Sequence, residues 1–286
     1  MSSNLSRRLA VAAVGIPAAA GVVYVGGWVL AALLAVFGAV GAQEFYRLGR
    51  RTGLQPLTLV GALGAGLIPL VALATMSAGG GRVGPMTVLF GAVSWFIVAV
   101  GLAGSSRRPD ERPLASVALT VFAALYAGGL PAFILLLRHA PGLSPEAGTA
   151  VVFLPLVVTW VGDSLAMFGG KYFKGPKLAP VLSPNKTWSG AVSGAVGAVV
   201  LAPLYGLLVL ARVGVDVPGW QLILLGLVLS IVGQSGDVAE SLFKREAGVK
   251  DSGTFFPGHG GVLDRFDSLY WVLPATAVLL TLFGVP

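Results

Sequence analysis

The chain has no cysteine. That excludes disulfides, thiolate nucleophiles and cysteine-ligated zinc or iron–sulfur centres, so a metal here must take oxygen or histidine ligands. Histidine occurs only twice. Charge is scarce as well. Only 11% of the 286 residues are charged, against about 25% in ordinary soluble domains. A water-exposed surface cannot be built from that composition. What is present instead is apolar: 56% of residues are hydrophobic and the mean hydropathy is +0.86. The chain is read as an all-α, polytopic integral membrane protein, with the lipid bilayer as its solvent. The net charge of +7 does not point to nucleic acid, because the cations are dispersed between apolar runs. It points to loops beside an anionic membrane face.

Apolar runs of spanning length recur at 9–25, 28–45, 57–76, 85–104, 114–137, 149–168, 188–211, 219–236 and 268–285. They predict about nine transmembrane helices, with eight as the alternative. The N-terminal run has some features of a signal peptide, but it continues past a short apolar core, and it is expected to be an uncleaved first span. Arg7, Arg8, Arg47, Arg50, Arg51, Arg107, Arg108 and Arg112 fall on the side of the N-terminus, as do the cations of the two later loops. Only Arg82, Arg138 and Arg212 fall on the other. The positive-inside rule therefore predicts a cytoplasmic N-terminus and cytoplasmic long loops. The glycines and alanines, as in Gly190–Gly194 (GAVSG), suit close helix packing in lipid. The tryptophans are read as interfacial anchors or packing residues.

The two halves differ. Residues 1–145 hold about five spans joined by short loops. Residues 146–286 carry the candidate chemistry, in cytoplasmic loops 169–187 and 237–267. The second loop gathers Lys244, Arg245, Lys250 and Arg265 with Asp237, Glu240, Glu246, Asp251, Asp264 and Asp267, around His259 and several glycines. Topology accounts for the cations but not for the carboxylates, which contribute little to orientation. If the eighth helix continues past its span, Asp237, Glu240, Ser241 and Lys244 share one face. Asp264 and Asp267, at i and i+3, are expected to share a face of the helix that re-enters the membrane, so the two acidic faces can meet.

Carboxylates beside a serine, with no cysteine, make a hard oxygen site of the kind Mg²⁺ prefers, completed by water and substrate phosphates. The surrounding Lys244, Arg245, Lys250 and Arg265 could hold phosphate oxygens. Gly258, Gly260 and Gly261 would let backbone N–H groups approach an anion. These are the parts of phosphoryl or nucleotidyl transfer, in which charge neutralisation and in-line positioning lower the barrier. In the other loop, Asp163 sits near a span end, as a functional carboxylate or as a partner of Lys171. Ser183 and Thr187 are candidate caps of the next helix. Lys186 beside them is either an anion contact or a topology lysine.

The segment Ser241–Asp267, SLFKREAGVKDSGTFFPGHGGVLDRFD, resembles the signature of the phosphatidate cytidylyltransferase (CDP-diacylglycerol synthase) family. The matching positions are Ser241, Lys244, Arg245, Lys250, Asp251, His259, Gly260, Gly261, Asp264, Arg265 and Asp267. Gly236-Asp237, the GDS at 162–164 and the SPNKT at 183–187 agree in order and spacing. The resemblance is strong over 150–286; before 145 it is only a hydrophobic profile. One departure is Ser189, where relatives often carry an acid. The resemblance implies CMP transfer from CTP to phosphatidate, with pyrophosphate released, by Mg²⁺-dependent attack of the lipid phosphate on the α-phosphorus. It makes Asp237 and Asp264 the metal ligands. Asp267 and Ser241 would support them or bind a second cation. Lys244, Arg245, Lys250 and Arg265 would neutralise the triphosphate or the lipid headgroup, and Lys186 and Asp163 would complete the site. His259 would donate to a phosphate or orient the glycine-rich turn. The resemblance also implies a homodimer in the cell membrane, with its site on the cytoplasmic side. The alternatives are a CTP-dependent transferase or kinase acting on another lipid, such as a polyprenol or ether lipid, and a transporter. Against the transporter, the polar groups gather at one face.

Overall fold

A computed structural model describes residues 15, 17–77, 85–256, 258 and 260–285. A chain in hydrocarbon must satisfy its backbone N–H and C=O groups internally, and the apolar runs do this as helices. Helix α1 occupies residues 17–25. It is followed by α2 (Gly27–Arg51), α3 (Thr58–Ser77), α4 (Pro85–Ser105), α5 (Pro113–Ala124) and α6 (Phe133–Arg138). A π turn at Leu125–Gly129 links α5 to α6. This wide turn lies just before Pro131, which has no N–H to continue the helix ladder. Next come α7 (Pro145–Phe173), an antiparallel hairpin of β1 (Lys177–Ala179) and β2 (Ser183–Thr187), and α8 (Trp188–Tyr205). The chain ends with α9 (Gly219–Glu246), α10 (Leu263–Phe266) and α11 (Leu269–Leu282).

Among the described residues, seven helices are long and apolar enough to cross a membrane: Gly27–Arg51, Thr58–Ser77, Thr87–Ser105, Pro113–Arg138, Pro145–Phe173, Trp188–Val213 and Gly219–Glu246. They match the second to eighth expected spans, and the protein is an all-α, polytopic membrane protein. The ninth expected span is the shorter α11. Of the first, 9–25, residues 17–25 form α1, and residues 9–14 and 16 lie outside the described residues.

The chain divides into two compact units: Met1–Leu135 with Glu246–Arg265, and Leu136–Arg245 with Phe266–Pro286. In the first, α2, α3 and the π turn meet through small residues. A Cβ on Gly38 would lie 3.0 Å from the Ala65 carbonyl and 3.1 Å from the Gly128 Cα. Tyr46 donates its hydroxyl to the Thr120 carbonyl at 2.9 Å, so the ring is buried with its polar end satisfied. In the second unit, α7 and α8 pack through the GAVSG face. A Cβ on Gly190 would meet the Ala166 carbonyl at 2.6 Å, and one on Gly194 the Ala166 methyl at 3.1 Å. That stripe is therefore a packing surface within the chain.

Candidate active site

In the second unit, α9 runs on to Glu246, ten residues past the expected span end and into the expected loop 237–267, which is the condition for Asp237, Glu240, Ser241 and Lys244 to share one face. Helix-forming Ala239, Glu240, Leu242, Lys244 and Arg245 carry it there, and the last two cations suit its C-terminal end. Lys244 Nζ donates to Glu240 Oε1 at 3.0 Å, and both residues are buried. One turn earlier, Asp237 Oδ2 lies 2.7 Å from Lys186 Nζ. The same ammonium reaches the Gln234 carbonyl at 3.4 Å.

Lys186 is delivered by the hairpin, not by a helix N-terminus. The segment Ser183–Thr187 is strand β2, with Lys177 opposite Thr187 and Ala179 opposite Ser183. Of the two candidate caps, Thr187 is the one used: its hydroxyl accepts the Gly190 N–H at 3.1 Å and starts α8. The Ser189 hydroxyl contacts Thr187 and donates to the Lys174 carbonyl. It thus closes the loop where an acid was expected from the resemblance.

Asp163, on α7, lines a small pocket with Gly162, Gly233 and Gln234. Its charged neighbours are Asp237 and Lys186 rather than the alternative partner Lys171. Asp267 sits in the turn before α11 and accepts the Ser268 N–H at 2.7 Å. Burial pushes its carboxyl up to about 6, and the negative charges of Asp237 and Asp163 push the same way. The Ser268 N–H and Lys244 oppose them. Ser241 is buried on the same helix as Asp237. Arg245 is exposed and points its Nε toward the Leu182 carbonyl at 3.5 Å.

In the first unit, the glycine-rich turn is held from inside. Asp264 Oδ2 accepts the Ser252 N–H and the Gly261 N–H, each at 2.8 Å, and the Ser252 hydroxyl at 2.9 Å. Asp264 is buried. Gly260 adopts φ 86°, a left-handed conformation that glycine takes at little cost, and a short antiparallel bridge joins Phe256 to Gly260. The same turn receives a carboxylate from far away in sequence. Glu44, on α2, accepts the Val262 N–H at 3.1 Å, the Leu263 N–H at 3.0 Å and the Ser252 hydroxyl at 2.9 Å. Lys250 and Arg265 are exposed. His259 lies outside the described residues.

One expectation is corrected. Asp264 and Asp267 do not share a helix face: α10 ends at Phe266, and Asp267 lies in a turn. The four residues of α10 are too few to carry an i, i+3 face beyond a single turn, and Asp264 is drawn back to cap its own turn.

The donors present are carboxylate and hydroxyl oxygens. Among the described residues, no three Asp, Glu or His groups converge closely enough to encage a metal unaided. Mg²⁺ is commonly held by only one or two carboxylates and keeps water and substrate phosphates in its shell. Asp237 and Asp163 act on Asp267 as nearby negative charges, a repulsion that a bound cation would relieve.

A family profile described as the cytidylyltransferase family matches residues 6–283. The chain belongs to that family. A curated protein of Bacillus subtilis named phosphatidate cytidylyltransferase is 35% identical over 250 residues, covering 86% of this chain and 87% of that one. A protein of the same name from Brucella abortus is 51% identical over 159 residues, covering 56% of this chain and 54% of the relative. A third, from Staphylococcus saprophyticus, is 42% identical over 133 residues, or 46% of this chain and 50% of the relative. The chain thus spans about half the length of the Brucella and Staphylococcus relatives it matches and most of the Bacillus one.

The sequence reading missed Glu44 and Ser252. Arg47, Arg50 and Arg51, which follow Glu44 on α2, read as topology residues and draw attention from the acid before them. Its signal is that it is the one acid in α2, at the end of an expected span, where a carboxylate is costly. Ser252 carried no such signal, since a serine in a glycine-rich loop is the ordinary case.

Proposed function

We propose that this chain is a phosphatidate cytidylyltransferase, making CDP-diacylglycerol and pyrophosphate from CTP and phosphatidate at the cytoplasmic face of the cell membrane. The observation that carries this reading is the ion pair of Lys186 with Asp237, in a cluster with Asp163 and Asp267, inside a chain of the cytidylyltransferase family. The names borne by the relatives support the substrate pair.

A phosphatidate oxygen would attack the α-phosphorus of CTP. The bond from that phosphorus to the bridging oxygen would break, and pyrophosphate would leave. The attacking phosphate monoester is already mostly ionised near neutral pH, with its second pKa about 6, so no general base is needed. Lys186 and Lys244 would draw phosphate oxygens toward the carboxylate cluster, in competition with Asp237 and Glu240. Arg245, Lys250 and Arg265 are exposed and would meet the triphosphate or the headgroup. Ser241 would support the Asp237 side of the cluster. Bound Mg²⁺ would supply neutralisation of the developing charge. The resemblance gives it to Asp237 and Asp264, with Asp267 as a support or as a ligand of a second cation. A homodimer is part of the same proposal.

The test is direct. Purified protein in detergent is given dioleoyl phosphatidate, CTP and Mg²⁺, and pyrophosphate and lipid-linked CMP are followed. The expected product requires CTP and Mg²⁺ and disappears with EDTA and in Asp237→Asn. Activity only with another lipid acceptor, or none in folded protein, would refute the assignment.

A further inference from the structure

We propose that Glu44, which lies outside the signature segment, is a positioning residue that holds the glycine-rich turn in its working conformation through Ser252 and Asp264. The proposal deepens the cytidylyltransferase reading and rests on it for the reaction, but not for the geometry.

Glu44 is fully buried where the apolar run of α2 gives way to Gln43 and the arginines that follow. A buried carboxylate is retained only where its oxygens are well served, and these are. Oε1 accepts from Val262 N–H, and Oε2 from Leu263 N–H and from the Ser252 hydroxyl. The Arg47 guanidinium stands 3.9 Å from Oε1.

Ser252 is the coupling element. Its hydroxyl has one proton and lies 2.9 Å from both Glu44 Oε2 and Asp264 Oδ2. The orientation of Asp264 is therefore tied to that of a residue 208 positions from Ser252 in sequence. The glycines of the turn are seated against the same carboxylate. A Cβ on Gly253 or on Gly261 would run into Glu44. The backbone of the turn thus follows the shape and charge of one side chain that is itself fully buried.

A group that merely fills space would be replaced adequately by an isostere. Glu44→Gln keeps the volume but turns one acceptor oxygen into an NH₂ group, which cannot take an N–H. The first readout is steady-state kinetics. Displacing a catalytic turn by about 1 Å costs on the order of 10²-fold, so kcat is expected to fall by that factor. KM for CTP and phosphatidate should change by no more than about threefold, because a lost positioning contact acts on the transition state. The second readout needs neither activity nor metal. Amide hydrogen exchange of Mg²⁺-free protein in detergent should quicken at Val262 and Leu263 and stay unchanged in α8.

Ser252→Ala should shift both readouts in the same direction. The double variant should be little worse than the more severe single one, because both changes cut one link. If Glu44→Gln does not fold, Ser252→Ala alone decides by the same two readouts. Unchanged exchange at Val262 and Leu263 with unchanged kcat would overturn the proposal, as would a uniform loss of active protein with kcat per active molecule intact. Absence of CDP-diacylglycerol from the wild type would count against the phosphatidate reading. The exchange arm would then decide on Glu44 alone, with faster exchange upholding the link and unchanged protection sinking it.

Discussion

Replacing Asp267 by Asn should make the metal-free protein more stable at neutral pH, even as it removes a proposed catalytic carboxylate. Burial and the neighbouring Asp237 push Asp267 from the usual 3.8 to about 6. At 1.36 kcal/mol per tenfold change in proton affinity, the ionised side chain costs the fold about 3 kcal/mol. Screening by water at this half-buried group makes that figure an upper bound. The sign follows from proton counting. Between about pH 4 and 6 the folded state holds a proton that the unfolded state has released, so stability falls as pH rises through that window. Above the folded value the whole penalty is present. Asn carries no charge and escapes it. Thermal unfolding in detergent with EDTA, followed by circular dichroism, should show the two proteins alike at about pH 4 and the variant ahead by up to about 3 kcal/mol at about pH 8. Mg²⁺ should narrow the gap by stabilising the wild type more, since a ligand that binds only the folded state raises its stability. A variant less stable than wild type at about pH 8, or a difference that does not change with pH, would refute the reasoning.

Three further changes test other parts of the structure. Lys186→Ala removes the 2.7 Å partner of Asp237, leaving that carboxylate unneutralised among acids. Stability should drop by about 1–3 kcal/mol, visible in the same melts and largely restored in Lys186→Arg. Gly261→Ala drives a methyl into Glu44 and Ser252, an overpacking worth about 1–3 kcal/mol; an unchanged melting temperature would show that the turn is looser than described. Thr187→Val keeps the shape but removes the acceptor of the Gly190 N–H. The loss of this cap should cost about 1 kcal/mol and speed exchange of the Gly190 amide.

The helices were legible because their cause is local. A run of apolar residues long enough to span hydrocarbon has only one way to satisfy its backbone, so seven spans appear where hydropathy placed them. The spacing of Asp237, Glu240 and Lys244 allowed one shared helix face but did not require it, because the apolar span ends at 236 and the structure carries α9 on to Glu246. The family, too, could be read from the order of charged residues in one segment.

What the sequence by itself determined, then, was membrane residence, helix placement and the family to which its charged motif belongs. Tertiary structure decided which of these residues meet. Lys186 was equally well a topology lysine until the hairpin carried it to Asp237. Asp264 and Asp267 share a helical spacing, but α10 ends at Phe266, between them. Glu44 looked like nothing at all until the turn around Gly261 closed upon it. Such pairings join residues far apart in the chain. Their energy comes from shared burial and matched hydrogen bonds, which no local pattern encodes.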